Sequence, residues 1–438
     1  MDADVTDRAG TATEPDTTSG SEPSTGAPGP DDIDAEPAAT PANPRRHWLR
    51  WAALGTSVVI LATAGAGWWF YQKLDGNITT DTTAATELHT YEKERPTPVA
   101  LDAQNILLIG SDSRSGEGNG KYGRDDGGSQ RSDTTILLHL AADRKSATAM
   151  SIPRDLMVEI PSCATPDGTR SQARFAQFNW AFEAGGAACT IRTVEKLTDI
   201  RVDHHMVIDF SGFTDVVNAV DGVEVCIDEP VKDVQARLEL PAGRQTLDGE
   251  QALGFVRARH GIGDGSDTQR MDRQQRFLGA LFKKVQSNGV LLNPARLYPV
   301  LDAATKSLTT DSGLDSLSDL YELARSMRSV PTEKVQFLTV PRQPYSQDRN
   351  RDELVESEAK SLFERLREDD PVSVSAAGAN EQDGKRDGKN EGNSDGKSDD
   401  SVKPSGNGSD DGSGSRATGS PSPAPTFQGT NAAAGMCG

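Results

Sequence analysis

The chain has 438 residues and a formal net charge of −20, with 46 lysine and arginine residues against 66 aspartate and glutamate residues. The acidic balance argues against nucleic-acid binding, because a phosphate backbone is normally met by a basic protein face. It leaves room for a small phosphate ligand held by local basic residues. The length would suit two or three domains, but both ends are too polar to fold, so we expect one main domain.

The two ends share a composition typical of disorder. Residues 1–47 carry ten acidic and three basic residues among many Pro, Thr, Ser and Gly residues. Such a segment buries too little apolar surface to offset the entropy of ordering, so we expect a disordered N-terminal tail. Asp-Gly-Lys and Ser-Gly pieces recur at 368–438 and predict a disordered C-terminal tail.

An uncharged run of 22 residues, from Trp51 to Gln72, is long enough to cross a bilayer. It predicts a transmembrane helix over 48–73. Three arginines close to the run precede it and a single lysine follows it: Arg45, Arg46 and Arg50 against Lys73. The positive-inside rule then leaves the N-terminus in the cytoplasm and everything after the helix outside the membrane. A cleaved signal peptide is the alternative, but 47 residues precede this helix.

Residues 74–100 are polar and end in a proline-rich piece, so we interpret them as a linker. The folded domain is predicted at 101–345. Within it, short apolar runs alternate with helical patterns, which is typical of an α/β domain with a mixed central sheet between helical layers. The predicted strands are 105–110, 134–141, 147–152, 205–210, 223–227 and 335–340, and the predicted helices are 175–184, 191–197, 213–220, 294–307 and 313–328.

The four cysteines would lie on the exported, oxidising side of the membrane. Cys163 and Cys189 flank a predicted loop and helix, and we expect a disulfide between them. Cys226 lies in a predicted strand and is interpreted as a buried free thiol, while Cys437 lies on the predicted tail. None of them has the paired spacing of a zinc site.

Two aspartates stand at the ends of predicted strands, Asp112 in GSDSR and Asp133 in RSDTT. Either one alone would suit a turn or cap residue. Together they can converge on a hard divalent cation such as Mg²⁺ or Mn²⁺, with phosphate oxygens and water as its further ligands.

The densest positive charge lies between Phe255 and Phe282. Arg257 and Arg259 would point to one side only if the VRAR segment is extended. Arg154, in SIPRD, follows a predicted strand and adds a further guanidinium group. Such groups match phosphate oxygens in pairs and keep their charge at every pH, so this set suits a pyrophosphate.

The segment after VRARH has helical spacing, and Arg270 and Gln274 share a helix face with Phe277. We therefore expect Arg270 to point inward, where a cation needs an anionic partner. A solvated basic helix paired with Asp267 and Asp272 is the alternative. Arg273 falls on another helix face and is expected to tolerate substitution by alanine.

Eight short motifs occur in order after the predicted membrane helix, within about 105–281: GSDSR, RSDTT, SIPRD, FNWAFEAGG, DGVEV, LDGEQAL, VRARH and RMDRQQRFL. In this order the chain resembles LytR-CpsA-Psr proteins. The resemblance implies a membrane-anchored phosphotransferase that moves an anionic glycopolymer from a polyprenyl-pyrophosphate carrier onto peptidoglycan, and that could also hydrolyse the pyrophosphate. Its partners would be the lipid-linked glycopolymer, peptidoglycan and the cytoplasmic membrane.

The resemblance also implies roles for particular residues. Asp112 and Asp133 would bind the metal, and Arg154 and Asp133 would act in catalysis. The pyrophosphate-binding set would be Arg154, Arg257, Arg259, Arg270 and Gln274. Similar proteins can carry cysteine where this chain has Arg244, so Cys226 lacks that partner and a second disulfide is not expected.

Two other classes stay open. A single membrane helix with a long cytoplasmic tail also suits an envelope regulator, although residues 1–47 contain no folded output domain. A non-catalytic protein that binds polyprenyl phosphate or wall polymer would carry the same site. Turnover of a pyrophosphate lipid separates this second class from an enzyme.

Overall fold

The computed structural model describes residues 44–112, 132–263, 266–287, 293–375, 425–434 and 436–437. The chain divides into two compact units, Met1–Thr63 and Ala64–Gly438. The described helices are α1 Pro44–Asp75, α2 Thr82–Thr90, α3 Trp180–Thr198, α4 Phe210–Ala219, α5 Gly249–Arg257, α6 Asp267–Gln286, α7 Pro294–Ser307, α8 Leu317–Arg328 and α9 Glu356–Arg367. Short 3₁₀ turns lie at Glu92–Glu94 and Thr332–Lys334.

The strands are short, as is usual for a domain of this kind. They are β1 Thr79–Thr80, β2 Gln104–Ser111, β3 Ser132–Leu140, β4 Ala147–Ile152, β5 Met157–Ile160, β6 Arg174–Gln177, β7 His204–Ile208, β8 Val223–Ile227, β9 Val231–Asp233, β10 Leu238–Leu240, β11 Gly243–Leu247, β12 Leu308–Thr310, β13 Val335–Thr339, β14 Arg342–Tyr345, β15 Asp348–Leu354, β16 Ser373–Ser375 and β17 Thr426–Asn431.

One large sheet organises the second unit, with nine strands in the order β1-β12-β7-β2-β3-β4-β13-β17-β16. β2 pairs antiparallel with β3 and parallel with β7. β4 pairs antiparallel with β3 and parallel with β13. The sheet is therefore mixed, which confirms the predicted fold class.

Helices cover both faces of this sheet, which explains why β2 is apolar along its length. Leu107 and Ile109 pack into a core that includes residues of α3 and α9. Leu108, between them in sequence, packs against a separate cluster that includes side chains of α6 and α8. Successive strand residues point to opposite faces, so each layer receives every second side chain.

The helix α1 contains the predicted membrane span. Its stretch Trp48–Asp75 is long and apolar enough to cross a membrane, and residues 48–73 are exposed. Of the predicted disordered tail, residues 1–43 lie outside the described residues, whereas 44–47 belong to α1.

The prediction of a linker at 74–100 is wrong. Residues of this segment form β1, which pairs with β12, and α2, whose Ala84 is buried against the core under α3. Asp81 begins the helix, and its side chain accepts a hydrogen bond from the backbone N–H of Ala84. The segment looks polar because only one short face of α2 is apolar. That face is buried only because α3, which lies far away in sequence, packs against it.

The C-terminal boundary at 345 and the disordered tail from 368 also need correction. The fold continues through α9 to β16. The distant strand β17 then enters the large sheet between β13 and β16. Phe427 and Ala432 are buried there. Residues 376–424 of the predicted tail lie outside the described residues.

The helix α3 differs from its prediction at the start. Arg174–Gln177 pair with β5, so the helix begins at Trp180 and the predicted helix 175–184 is too early. The helix kinks at Gly185, where an added Cβ would lie 2.6 Å from the carbonyl oxygen of Ala164. That Cβ would also lie 3.0 Å from the Cβ atoms of Cys163 and of Cys189, which belongs to the same helix, so glycine leaves room at the kink for both cysteines.

The cysteines form two disulfides. Cys163 and Cys189 are joined, with their Cα atoms 5.6 Å apart, which confirms the predicted pair. Cys226 is joined to Cys437, so its interpretation as a free thiol is wrong. Arg244 on β11 is the strand neighbour of Cys226 and cannot form a disulfide with it. The partner, Cys437, lies 211 residues further along the chain, where no local sequence pattern indicates a partner.

Candidate active site

The site begins at one end of the paired strands β2, β3 and β4. Ser111 and Ser132 are opposite each other at an irregular point of the β2–β3 ladder, and Asp112 and Asp133 are the next residues in sequence. β4 runs antiparallel to β3, so Arg154, two residues after β4, lies at the same end. The structure therefore places Asp112, Asp133 and Arg154 at the same end of three neighbouring central strands.

Arg154 is held between two carboxylates. Its NH1 group donates to Oδ1 of Asp133 at 3.0 Å, and its Nε donates to Oδ2 of Asp155 at 3.1 Å. Oδ1 of Asp155 in turn accepts from Nε2 of Gln177 at 2.7 Å. Burial alone would lower the pKa of Arg154, but the charges of Asp155 and Asp133 raise it above its ordinary value. The guanidinium group is therefore fixed in direction and stays charged.

Arg257 is the last residue of α5, so the VRAR segment is not extended throughout, although Arg257 and Arg259 line the same cavity. The helix starts at a capping box in which the Asp248 side chain accepts from the Gln251 N–H and the Gln251 side chain accepts from the Asp248 N–H. The chain turns extended only at Ala258. The guanidinium group of Arg257 lies over the ring of Phe210, 4.3 Å from its centroid.

Arg259 is positioned through its backbone by Asp233, a residue that sequence reasoning missed. Oδ2 of Asp233 accepts from the backbone N–H groups of Arg259 and His260, both at 2.9 Å. Its Oδ1 accepts from those of Gln235 and Ala236. Burial would raise the pKa of Asp233, but the four backbone donors lower it to about 2. An aspartate that accepts from the backbone two residues on is an ordinary turn signal, which is how this one could have been found.

Arg270 points inward, as the helical spacing predicts. It is 8% exposed, and its NH2 group donates to Oδ2 of Asp267 at 2.8 Å. Burial lowers the pKa of Arg270, and the nearby cations Arg154 and Arg259 lower it further. The alternative of a fully solvated basic helix therefore does not describe Arg270, although its pairing with Asp267 is present.

Gln274 and Arg273 fasten α6 to the end of α5. Nε2 of Gln274 donates to the carbonyl oxygen of Val256 at 3.0 Å. Nε of Arg273 donates to the carbonyl oxygen of Phe255 at 2.9 Å, and its NH2 group donates to that of Ala258. These bonds satisfy carbonyl groups at the C-terminus of α5. They fix the segment that carries Arg257 and Arg259.

The expectation that Arg273 tolerates alanine rested on its place away from the core face of α6, and the structure corrects that premise, because Arg273 is buried and bonded to α5. It is 7% exposed, and burial first, then the charge of Arg270, lowers its pKa to about 10. The helical periodicity placed it away from the core face of α6, but α5 packs on this other face. The periodicity of a single helix does not show which other helix packs against its remaining faces.

The arginines meet in a cavity of about 600 Å³. Much of its wall is apolar and comes from both the sheet and the helices, including Ile136, Phe210, Phe213, Val256 and Phe277. The predicted polar residues that line it are Asp133, Arg154, Arg257, Arg259, Arg270 and Gln274. Four guanidinium groups beside an apolar wall suit a ligand with a polyanionic head and an apolar chain.

The two predicted metal ligands are placed differently. Asp133 lines the cavity, whereas Asp112 is absent from the described lining and follows Ser111, which does line it. Across the described part of the chain, no group of three or more His, Cys, Asp or Glu side chains converges. Both side chains are carboxylates, the oxygen donors that a hard cation such as Mg²⁺ prefers.

The site combines an apolar cavity with an arginine cluster in a mixed α/β domain, an arrangement whose chemistry suits amphiphilic polyanions. The family follows from comparison with known sequences. The chain belongs to the LytR-CpsA-Psr family, because the LytR_cpsA_psr family model matches residues 74–368, more than half of the chain.

Known relatives agree with this family. The "Probable cell wall biosynthesis protein LcpB" of Corynebacterium glutamicum is 37% identical over 259 residues, which cover 58% of this chain and 59% of that protein. The "Polyisoprenyl-teichoic acid--peptidoglycan teichoic acid transferase TagT" of Bacillus subtilis is 29% identical over 300 residues, 65% of this chain and 84% of that protein. The match with the Corynebacterium relative thus spans about three fifths of its length.

A solved structure supports the fold. The crystal structure of protein gbs0355 from Streptococcus agalactiae matches with a TM-score of 0.51 and 24% identity, covering 64% of this chain and 90% of that one. At this identity the likeness concerns the fold alone. It agrees with the mixed sheet between helical layers described above.

Proposed function

We propose that the protein is a membrane-anchored phosphotransferase of cell-wall assembly. It would move an anionic glycopolymer from a polyprenyl-pyrophosphate carrier onto peptidoglycan. The observation that carries the proposal is the cavity of about 600 Å³ in which four arginines meet an apolar wall. A polyprenyl pyrophosphate joins an apolar chain to a polyanion, so its chain matches the apolar wall and its pyrophosphate matches the arginines. The name of the TagT relative supports the reaction class.

In the proposed reaction, a sugar hydroxyl of peptidoglycan attacks the phosphorus next to the glycopolymer. The new P–O bond forms as the bond to the bridging oxygen breaks, the hydroxyl gives up its proton, and polyprenyl phosphate leaves. Charge that develops on the phosphate oxygens meets guanidinium groups that are already fixed in place. Arg154 is fixed by Asp133 and Asp155, and Arg270 by Asp267.

Asp112 and Asp133 would hold Mg²⁺ or Mn²⁺ together with the substrate. When bound, such an ion neutralises phosphate charge and orients the phosphate oxygens. With water in place of the sugar hydroxyl, the same arginines would promote hydrolysis of the pyrophosphate.

The proposed location follows from the sequence around α1. The excess of arginine before the span favours a cytoplasmic N-terminus and an extracytoplasmic catalytic domain. The length and hydropathy of Trp48–Asp75 support a single membrane anchor. A lipid-linked donor is held in the same membrane, so an anchored enzyme would meet it there.

The experiment is a turnover assay with the full-length protein in lipid nanodiscs. The substrates are a polyprenyl-pyrophosphate-linked anionic glycopolymer and soluble peptidoglycan fragments. We expect polyprenyl phosphate to be released and the glycopolymer to become attached to the fragments. Saturable binding of the donor without release of polyprenyl phosphate would contradict an enzyme and favour the non-catalytic binding protein.

A further inference from the structure

Two aromatic side chains lie together at the surface, on hairpins that hydrogen bonds connect to the arginine cluster. Phe175, on β6, is 49% exposed. Tyr345, at the end of β14, is half-buried. Their ring centroids are 6.2 Å apart, with an angle of 55° between the ring planes. A single exposed aromatic residue needs no explanation, but a pair drawn together from two separate hairpins forms a small apolar platform.

The β5–β6 hairpin ties this platform to Arg154. Phe175 and Gln177 are two residues apart on a strand and share one face, while Ala176 between them is buried. Gln177 donates to Asp155, and Asp155 accepts from Arg154. Phe175 therefore belongs to a strand that is fixed to the arginine through two side-chain hydrogen bonds.

The β14–β15 hairpin ties the platform to Arg270. Arg342, on the same strand as Tyr345, donates through NH2 to Oγ1 of Thr268 at 2.7 Å. Thr268 follows Asp267, whose carboxylate holds Arg270. The backbone N–H of Asp352 on β15 also donates to the carbonyl oxygen of Asp155 at 3.1 Å, and β15 contacts β5, so the two hairpins are joined to each other.

Hydrogen bonds that run outside the described cavity lining connect the hairpins of the platform to two arginines of the site. Arg154 and Arg270 line the cavity. The residues that link them to the platform are absent from its described lining: Asp155, Gln177, Asp267, Thr268 and Arg342. In an in-line displacement at phosphorus, the attacking oxygen and the leaving oxygen lie on opposite sides. If the cavity holds the leaving polyprenyl phosphate, the acceptor must approach from a different side, and the platform residues are absent from the described cavity lining.

We propose that Phe175 and Tyr345 form the acceptor subsite, on which sugar rings of a peptidoglycan glycan strand stack. The C–H groups on a pyranose face carry partial positive charge and pack well on the electron-rich face of an aromatic ring. Hydrogen bonds connect both hairpins of the platform to Arg154 and Arg270, so we place the hydroxyl of a stacked sugar toward the phosphate that these arginines would bind. This inference rests on the proposed function, because it assigns the second substrate of that reaction.

The test uses the full-length protein in nanodiscs with Phe175→Ala, Tyr345→Ala and the double variant. Tyr321→Ala is the matched control, because Tyr321 is a 62% exposed aromatic residue on α8. KM is measured for soluble glycan-strand fragments and, separately, for the lipid-linked donor. Affinity for the glycan fragments is also measured by calorimetry without any donor.

We expect each single substitution to raise the KM and the Kd for glycan fragments about 2- to 10-fold, the size of one aromatic stacking contact. The double variant should raise them about tenfold or more, with the donor KM unchanged. Phe175→Trp should retain the affinity, whereas Phe175→Leu, which keeps apolar bulk without a ring, should lose it. Tyr321→Ala should behave as wild type.

Wild-type values for the double variant in a wild-type enzyme that does transfer would overturn the subsite and leave the proposed function standing. A rise in the donor KM alone would also overturn it, because the platform would then hold the donor sugar. If the wild-type protein shows no turnover, the proposed function fails. The calorimetric comparison of wild type with the double variant then still decides whether the platform binds glycan.

Discussion

At the scale of single residues, the site separates arginines that face the cavity from an arginine that supports them. Arg259 lines the cavity, while Asp233 fixes its backbone. Arg259→Ala should therefore retain or slightly raise the melting temperature, since Arg259 repels the buried Arg270. Turnover of a polyprenyl-pyrophosphate donor should fall about 10- to 150-fold, the cost of one charge-assisted contact. Thermal unfolding and steady-state kinetics check the two halves.

Arg273→Ala should lower both stability and turnover. It removes the donors to the buried carbonyl groups of Phe255 and Ala258, which costs about 1–3 kcal/mol for an unsatisfied group. The segment that carries Arg257 and Arg259 should then lose its fixed position. Chemical denaturation measures the first effect and donor turnover the second.

The control for this variant is Arg276→Ala on the same helix. Arg276 is about half exposed and pairs with Asp272 at the surface, where such a pair contributes little. It should match wild type in both assays. An Arg273→Ala protein as stable and active as Arg276→Ala would show that α6 does not hold the end of α5.

Asp233 should make the stability of the site depend on pH in the acid range. Its carboxyl has a pKa of about 2 in the fold, below the ordinary 3.8, so the charged form is stabilised by folding. This contribution is complete above about pH 4 and is lost as the pH falls through 2. The free energy of unfolding of wild type and of Asp233→Asn would be measured by chemical denaturation at several pH values from 7 to 3. The difference between the two proteins should become smaller as the pH falls. A difference that becomes larger would contradict the role given to the Asp233 carboxylate.

At the scale of elements, the strand β17 is part of the folded domain that carries the candidate site. It pairs with β13 and β16, and it packs against α6, which carries Arg270 and Arg273. A chain ending at residue 375 should therefore lose about 3 kcal/mol or more of unfolding free energy, since the buried side chain of Phe427 alone is worth about 1.5–3. Chemical denaturation measures the difference.

The comparison for that truncation is the full chain with Cys226→Ser and Cys437→Ser, which removes only the disulfide. It should lose less stability than the truncated chain, because β17 keeps its strand partners. Equal losses would mean that the bond, and not the strand, accounts for the effect. No loss in either variant would place the C-terminal segment outside the stable fold.

At the scale of the whole molecule, the elements with strong periodicity could be predicted and those defined by distant partners could not. β4 and β8 match their predicted ends, and α6 has its predicted inward arginine. β17 lacks such a signal, because its partner β13 lies far away in sequence. The Cys226–Cys437 disulfide could not be predicted for the same reason, because the two cysteines are 211 residues apart in sequence.

The candidate site shows the same division. The guanidinium and carboxylate types that suit a pyrophosphate could be chosen from local motifs, and the structure brings Arg154, Arg259 and Arg270 to one cavity. The residues that position them needed tertiary contacts to be found. Asp233 acts from β9 on a turn 26 residues away, and Arg273 acts on a neighbouring helix.

If a peptidoglycan hydroxyl attacks the phosphorus next to the glycopolymer, that phosphorus must end on peptidoglycan. The full-length protein would be given a donor carrying ³²P only at the sugar-side phosphorus, with peptidoglycan fragments as acceptor. We expect the label to become attached to peptidoglycan while unlabelled polyprenyl monophosphate is released. Label that remains with the lipid, or that leaves as inorganic phosphate while peptidoglycan stays unlabelled, would contradict it.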